Sequence, residues 1–198
     1  MRRRHLIAGI ASVGVLGSAG AVATGNAPEA FGLGGGSERV ADGGGDDGGS
    51  GDGGEPVEPT TIPTIDAPGS REGEVAIPAE GQATFVDFFG TWCPPCEEQM
   101  PALGEVADRV GDEVRFVSVT TEDVGGSVTE ETVVDWWRSN DGDWLVAADT
   151  AAEVAAKLGV GGYPYAVALD EAGRVTWSDS GVHTADEIVD GIETSIDR

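Results

Sequence analysis

The chain has 198 residues, room for one ordinary domain with appendages. It carries 36 acidic residues against 11 Lys and Arg, a formal net charge of −25, and Lys157 is its single lysine. Such a surface is expected to bind no nucleic acid and no anionic lipid, both of which need basic patches. Scarce Lys beside abundant Asp, Glu, Ala, Val and Gly points to a halophilic protein with a solvated acidic surface, whose self-repulsion is screened by salt.

The first 24 residues open with Arg2-Arg3-Arg4 and continue into a stretch rich in Ala, Gly and Val. They resemble a twin-arginine export signal, with Arg3-Arg4 as the pair and Leu6-Ile7 as the apolar positions after it. Ala21-Val22-Ala23 has the small-x-small form that signal peptidases cut, yet the stretch is also near the length of a bilayer span. Residues 1–24 therefore read as a twin-arginine-type signal peptide or an N-terminal anchor, and an extracytoplasmic location follows from either. Residues 25–62 are crowded with Gly, Asp, Glu and Pro, too poor in apolar surface to offset the entropy of ordering. They read as a disordered linker, leaving residues 63–198 as the folded domain.

Within that domain, strand-like pieces are expected near Thr64–Asp66 and Val75–Ile77, then a central strand over Ala83–Phe89. Gly90-Thr91-Trp92-Cys93-Pro94-Pro95-Cys96 follows. Prolines are at ease in the first turn of a helix, so a helix is predicted from about Pro95 to Val110, kinked at Pro101. Its turn brings the two cysteines onto one face, close enough to bridge. Cys93 stands at the helix N-terminus, where unpaired N–H groups and the helix dipole favour a thiolate. They are the only two cysteines in the chain, so no further thiol is available for a structural disulfide or a four-cysteine metal site.

Trp92-Cys93-Pro94-Pro95-Cys96, followed by Glu97-Glu98-Gln99-Met100-Pro101, resembles the thioredoxin superfamily. Within it the match is to the exported TlpA, ResA and DsbE-type thiol–disulfide oxidoreductases. The resemblance runs from about Thr64 to the C-terminus. It implies a thioredoxin fold, an α/β architecture with a central mixed sheet flanked by helices. It implies an enzyme without cofactor or metal whose Cys93–Cys96 disulfide opens and closes. Cys93, the N-terminal and more exposed thiol, is then the nucleophile and Cys96 the resolving thiol. Val86-Asp87-Phe88 is similar to the strand in thioredoxin that carries a buried aspartate. If buried, Asp87 has a raised pKa and accepts the Cys96 proton; the exposed, inert alternative is open at this stage.

Further along, Val114–Thr120 reads as a strand and Ser127-x-x-Glu130 as a capping box. Val133, Trp136 and Trp137 share a helical face, read as core with a ligand platform as the alternative. Trp144–Ala148 is a strand or extended lead-in, and Thr150–Leu158 a short helix. Tyr165–Leu169 reads as a strand, and the resemblance makes Tyr163-Pro164 the cis-proline pair facing the disulfide. Asp170–Gly173 turns into a hairpin strand over Arg174–Ser178. Thr184-x-x-Glu187 caps a last helix that buries Ile188, Ile192 and Ile196.

Cys93, Cys96, Asp87 and Pro164 are thus the candidate catalytic residues. Trp92, Pro94, Pro95 and Tyr163 are the candidate rim against which a partner's chain lies. Partners are expected to be protein thiols and disulfides, together with an upstream membrane-bound or exported electron donor. Glu97 and Glu98 lie within a turn of the cysteines, and the nearest basic residues in the chain are Arg71 and Arg109. A weakly stabilised thiolate makes a reductant, with a potential nearer about −270 mV than about −120 mV, and a cytochrome c maturation-like role fits that direction. The alternative is a copper-binding chaperone on the same fold, which would add a histidine to the cysteines. His183 is the only histidine downstream of the leader, and it reads as a loop residue.

Overall fold

A computed structural model describes residues 54–196; the expected signal or anchor and most of the expected linker lie outside the described residues. Seven strands form one mixed sheet. They are β1 (Thr60–Thr64), β2 (Gly73–Ile77), β3 (Thr84–Phe89), β4 (Arg115–Thr120), β5 (Leu145–Ala148), β6 (Tyr165–Leu169) and β7 (Val175–Ser180). Their order across the sheet is β2-β1-β5-β4-β3-β6-β7. The helices are α1 (Pro94–Val110), α2 (Glu130–Ser139), α3 (Glu153–Lys157) and α4 (Ala185–Ile196). Among the described residues no helix is long and apolar enough to cross a membrane.

β3 is an interior strand of the sheet, and every one of its six residues is buried. It runs parallel to β4 and antiparallel to β6, with Asp87 opposite Ser118 on one side and Ala166 on the other. Its side chains alternate between two cores. Phe85 and Phe89 join α1, α2 and α4 in one cluster, which also holds Cys93 and Cys96. Val86 and Phe88 join α3 in the other. Asp87 falls between Phe85 and Phe89 in that alternation, so the strand delivers a carboxyl to the face that carries the cysteines. Phe85, Phe88, Phe89 and Trp137 are fully buried, on the order of 2–3 kcal/mol of stabilisation each. The paired tryptophans of α2 are core: Trp136 stacks on Phe89 at 4.8 Å, and Trp137 donates its indole N–H to Pro68 O at 3.0 Å.

Several local expectations shift. β1 begins at Thr60 and ends at Thr64, so residues 60–62, read as the end of the linker, belong to the sheet. Pro63 hid them, since proline inside a run argues against a strand. It is tolerated because β1 meets β5 only at Thr64 and Ala147. α2 is capped by Thr129, which accepts from Thr132 N at 3.2 Å; Ser127 instead sits in a loop folded on the Asp123 carboxylate. α3 is shorter than expected, and Asp149 caps it through Glu153 N and Ala155 N, both at 2.9 Å. The capping box on α4 forms as read, with Thr184 N donating to Glu187 Oε2 at 2.8 Å, but Ile196 is exposed because it lies on the last turn beyond the sheet's cover. Lys157 on α3 donates to Glu58 O at 3.1 Å and Thr60 Oγ1 at 2.7 Å, fastening the start of β1.

Candidate active site

Cys93 caps α1 and is joined to Cys96, with Cα atoms 5.3 Å apart. The disulfide is covered: Cys93 is 3% exposed and Cys96 2%, so the expected difference in exposure between them is absent in the oxidised protein. Both side chains enter the apolar cluster beneath α1. The helix start also offers the sulfur fewer donors than its position suggests. Pro94 and Pro95 have no N–H, and the N–H groups of Cys96 and Glu97 donate to Cys93 O at 3.0 and 3.4 Å.

Trp92 is exposed, at 67%. Its indole lies back over Gly90, where a Cβ would stand 3.0 Å from the ring, and meets the Tyr163 ring edge-on at 5.9 Å. Gly90 therefore shapes the rim through what it lacks. Pro94 and Pro95 are exposed beside it. The Tyr163–Pro164 bond is cis, as the resemblance implied, and Pro164 is buried at the start of β6. A second cis bond, Ile77–Pro78, lies at the end of β2. The structure thus brings Trp92, the two cysteines and Tyr163 to one end of the sheet.

Asp87 is 2% exposed, and burial pushes its carboxyl from an ordinary 3.8 up to about 7 against the opposing pull of a Ser118 hydrogen bond. The exposed alternative for Asp87 is thereby excluded. Ser118 Oγ donates to Asp87 Oδ2 at 3.1 Å.

Three residues missed by sequence reasoning hold the surrounding loops. Glu122 accepts from Thr91 N and Thr91 Oγ1, both at 2.8 Å, pinning the turn two residues before Cys93. Thr121 Oγ1 and the Tyr163 hydroxyl are hydrogen-bonded, so the same loop after β4 holds the cis-proline segment too. Gln99, 2% exposed, brackets the backbone of His183: His183 N donates to its Oε1 at 2.6 Å, and its Nε2 donates to His183 O at 3.0 Å. The His183 ring packs edge-on to Trp177 at 5.7 Å. Among the described residues no three of His, Cys, Asp and Glu are grouped to hold a metal. A buried Gln one turn past Cys96 is the one signal that was available for these three.

A Redoxin family model matches residues 60–196. The chain belongs to the Redoxin family. Among its relatives is the sporulation thiol-disulfide oxidoreductase A of Bacillus subtilis, 26% identical over 134 residues, which cover 67% of this chain and 80% of that protein. The thiol-disulfide oxidoreductase ResA of Bacillus cereus is 26% identical over 110 residues, 55% of this chain and 61% of that protein, so the match spans about three fifths of ResA. Among solved structures, a putative thiol:disulfide interchange protein DsbE from Chlorobium tepidum superposes with a TM-score of 0.59 at 20% identity, over 73% of this chain and 97% of that one. This redoxin is a thiol–disulfide oxidoreductase with a thioredoxin-like fold, similar to the sporulation oxidoreductase and ResA, and Cys93–Cys96 is its dithiol pair.

Proposed function

We propose that this redoxin works outside the cytoplasm as a reductant of disulfides in partner proteins, a direction that suits the maturation of exported proteins such as apocytochromes c. The Cys93 thiolate attacks one sulfur of a substrate disulfide; the new Cys93–substrate disulfide forms as the substrate's S–S bond breaks and its other sulfur leaves as a thiolate. Asp87 then takes the proton of the Cys96 thiol. The Cys96 thiolate attacks Cys93 Sγ, the mixed disulfide breaks, and the substrate departs as a dithiol. Two electrons have passed to the substrate, and an upstream dithiol donor outside the cytoplasm restores the pair. Trp92, Pro94, Pro95 and Tyr163 form the rim on which the substrate's chain rests, beside cis-Pro164.

The observation that carries the direction is the start of α1. Two of its first N–H groups are absent at Pro94 and Pro95, the next two are engaged by Cys93 O, and exposed Glu97 and Glu98 add like charge. A thiolate with so little help makes a disulfide that is hard to reduce, hence a reducing protein. Export rests on Arg3-Arg4 and the apolar stretch after it. A redox titration against glutathione tests the direction: a potential near about −270 mV is expected, and one more positive than about −180 mV reverses it.

A further inference from the structure

The hydrogen bond to the Asp87 carboxyl crosses two parallel strands from Ser118, which is fully buried. Ser118 has a second partner. Trp144 Nε1 donates to Ser118 Oγ at 2.9 Å, from an indole that is 7% exposed. An indole N–H is a donor only, whereas a hydroxyl has one hydrogen and two lone pairs. The indole fills a lone pair, and the single hydrogen is left for the carboxyl. The chain Trp144 to Ser118 to Asp87 therefore has one direction, and each bond polarises the next. Such an arrangement favours the ionised carboxylate, in opposition to its burial.

Among the described residues no charged side chain pairs with that carboxyl. On α1, Glu97, Glu98, Glu105, Asp108 and Arg109 are exposed; so are Glu130, Glu131, Asp135 and Arg138 on α2, and Asp186, Glu187, Asp190 and Glu193 on α4. Arg115 on β4 and Asp143 before Trp144 face solvent, Asp149 is spent on capping α3, half-buried Glu122 on Thr91 and Thr120, and Asp170 on the turn after β6, while the half-buried Tyr163 and His183 belong to the loops beyond the strand ends. The two cysteines of this face are joined to each other.

We propose that Ser118, held in one orientation by the Trp144 indole, sets the proton affinity of Asp87. Ser118 is a positioning residue that acts through the carboxyl. Its kinetic consequence, control of the pH at which Cys96 is deprotonated, rests on the reading of Asp87 as the base in the resolving step.

The test uses the purified chain in its oxidised form, where the cysteines do not titrate. The Asp87 carboxyl is followed by infrared spectroscopy against pH, with Asp87→Asn assigning the band. Ser118→Ala is expected to raise the midpoint by about one pH unit, a tenfold gain in proton affinity. Trp144→Phe, which keeps the hydroxyl and leaves no indole N–H unpaired, raises it by less. In the double variant the tryptophan change adds nothing to the serine change. A midpoint unmoved in Ser118→Ala overturns the proposal, as does a Trp144→Phe effect of equal size with and without Ser118. The pH profile of mixed-disulfide release then separates the two readings. A matching shift in Ser118→Ala supports both, whereas a moved carboxyl with an unmoved profile leaves Ser118 in its role and removes Asp87 from the base's.

Discussion

Replacing Asp87 by asparagine keeps the shape of the side chain and its hydrogen bond from Ser118 while removing its titration. In the folded protein the carboxyl ionises near pH 7, and in the unfolded chain near its ordinary 3.8. A carboxyl whose folded value is raised contributes stability that is complete below the unfolded value and lost as pH rises through the folded one. The gap of about three pH units is worth on the order of 4 kcal/mol, a large share of the ~5–15 kcal/mol by which domains are stable. Asp87→Asn should therefore match the parent near pH 4, gain on it steadily as pH rises to 7, and hold a constant advantage above. Urea unfolding of both proteins at constant ionic strength, from pH 4 to pH 9, measures the difference directly. A stability difference flat across that range would mean the carboxyl is not held in a desolvated site, and the argument for its raised proton affinity would fail. The same variant should slow release of the mixed disulfide, so that stability and turnover move in opposite directions.

Glu122→Ala frees the Thr91 N–H: its amide exchange should accelerate, and kcat/KM for a protein disulfide should fall roughly threefold to tenfold through loss of loop order. Unchanged exchange at Thr91 would show the clamp to be idle in solution. Trp92→Ala should lower kcat/KM for a protein disulfide by about tenfold and leave the rate with a small disulfide such as oxidised glutathione nearly unchanged, since the exposed indole serves only an extended partner; equal losses on both substrates would place Trp92 in the chemistry instead. Thr184→Ala removes the hydroxyl that accepts from Glu187 N and donates to Glu187 Oε2 at the start of α4, and should cost about 1 kcal/mol in urea unfolding, with the redox potential unmoved.

What could be read from the chain follows from the range of the interactions involved. β3 and α1 were legible because a continuous apolar run and prolines at a helix start are local signals, and the C-x-x-C pair rides on that junction. The burial of Asp87 was left open by sequence, since one strand alone does not show what covers it. Thr60–Ile62 were lost to Pro63, whose local penalty is cancelled by a ladder to β2 that no local rule contains. Ser127 and Thr129 look alike as caps two residues apart, and the choice fell to a loop closing on Asp123. The partners of Asp87 and Thr91 were hidden for one reason: Ser118 and Glu122 each lie 31 residues away, and only the register of β3 on β4 and the loop beyond it make them neighbours.

The clasp between Lys157 and the first strand makes the protein its own clock for partial opening. A protease specific for lysine has one place to cut, and there the ammonium is engaged by Glu58 O and Thr60 Oγ1 on a helical turn. Cleavage needs several residues on either side to lie extended in the protease, so α3 must unwind and release the strand first. With closing faster than cutting, the rate of that single scission reports the free energy of opening at this corner alone. Two fragments of fixed length would appear at a rate set by how often α3 and the start of β1 let go of each other.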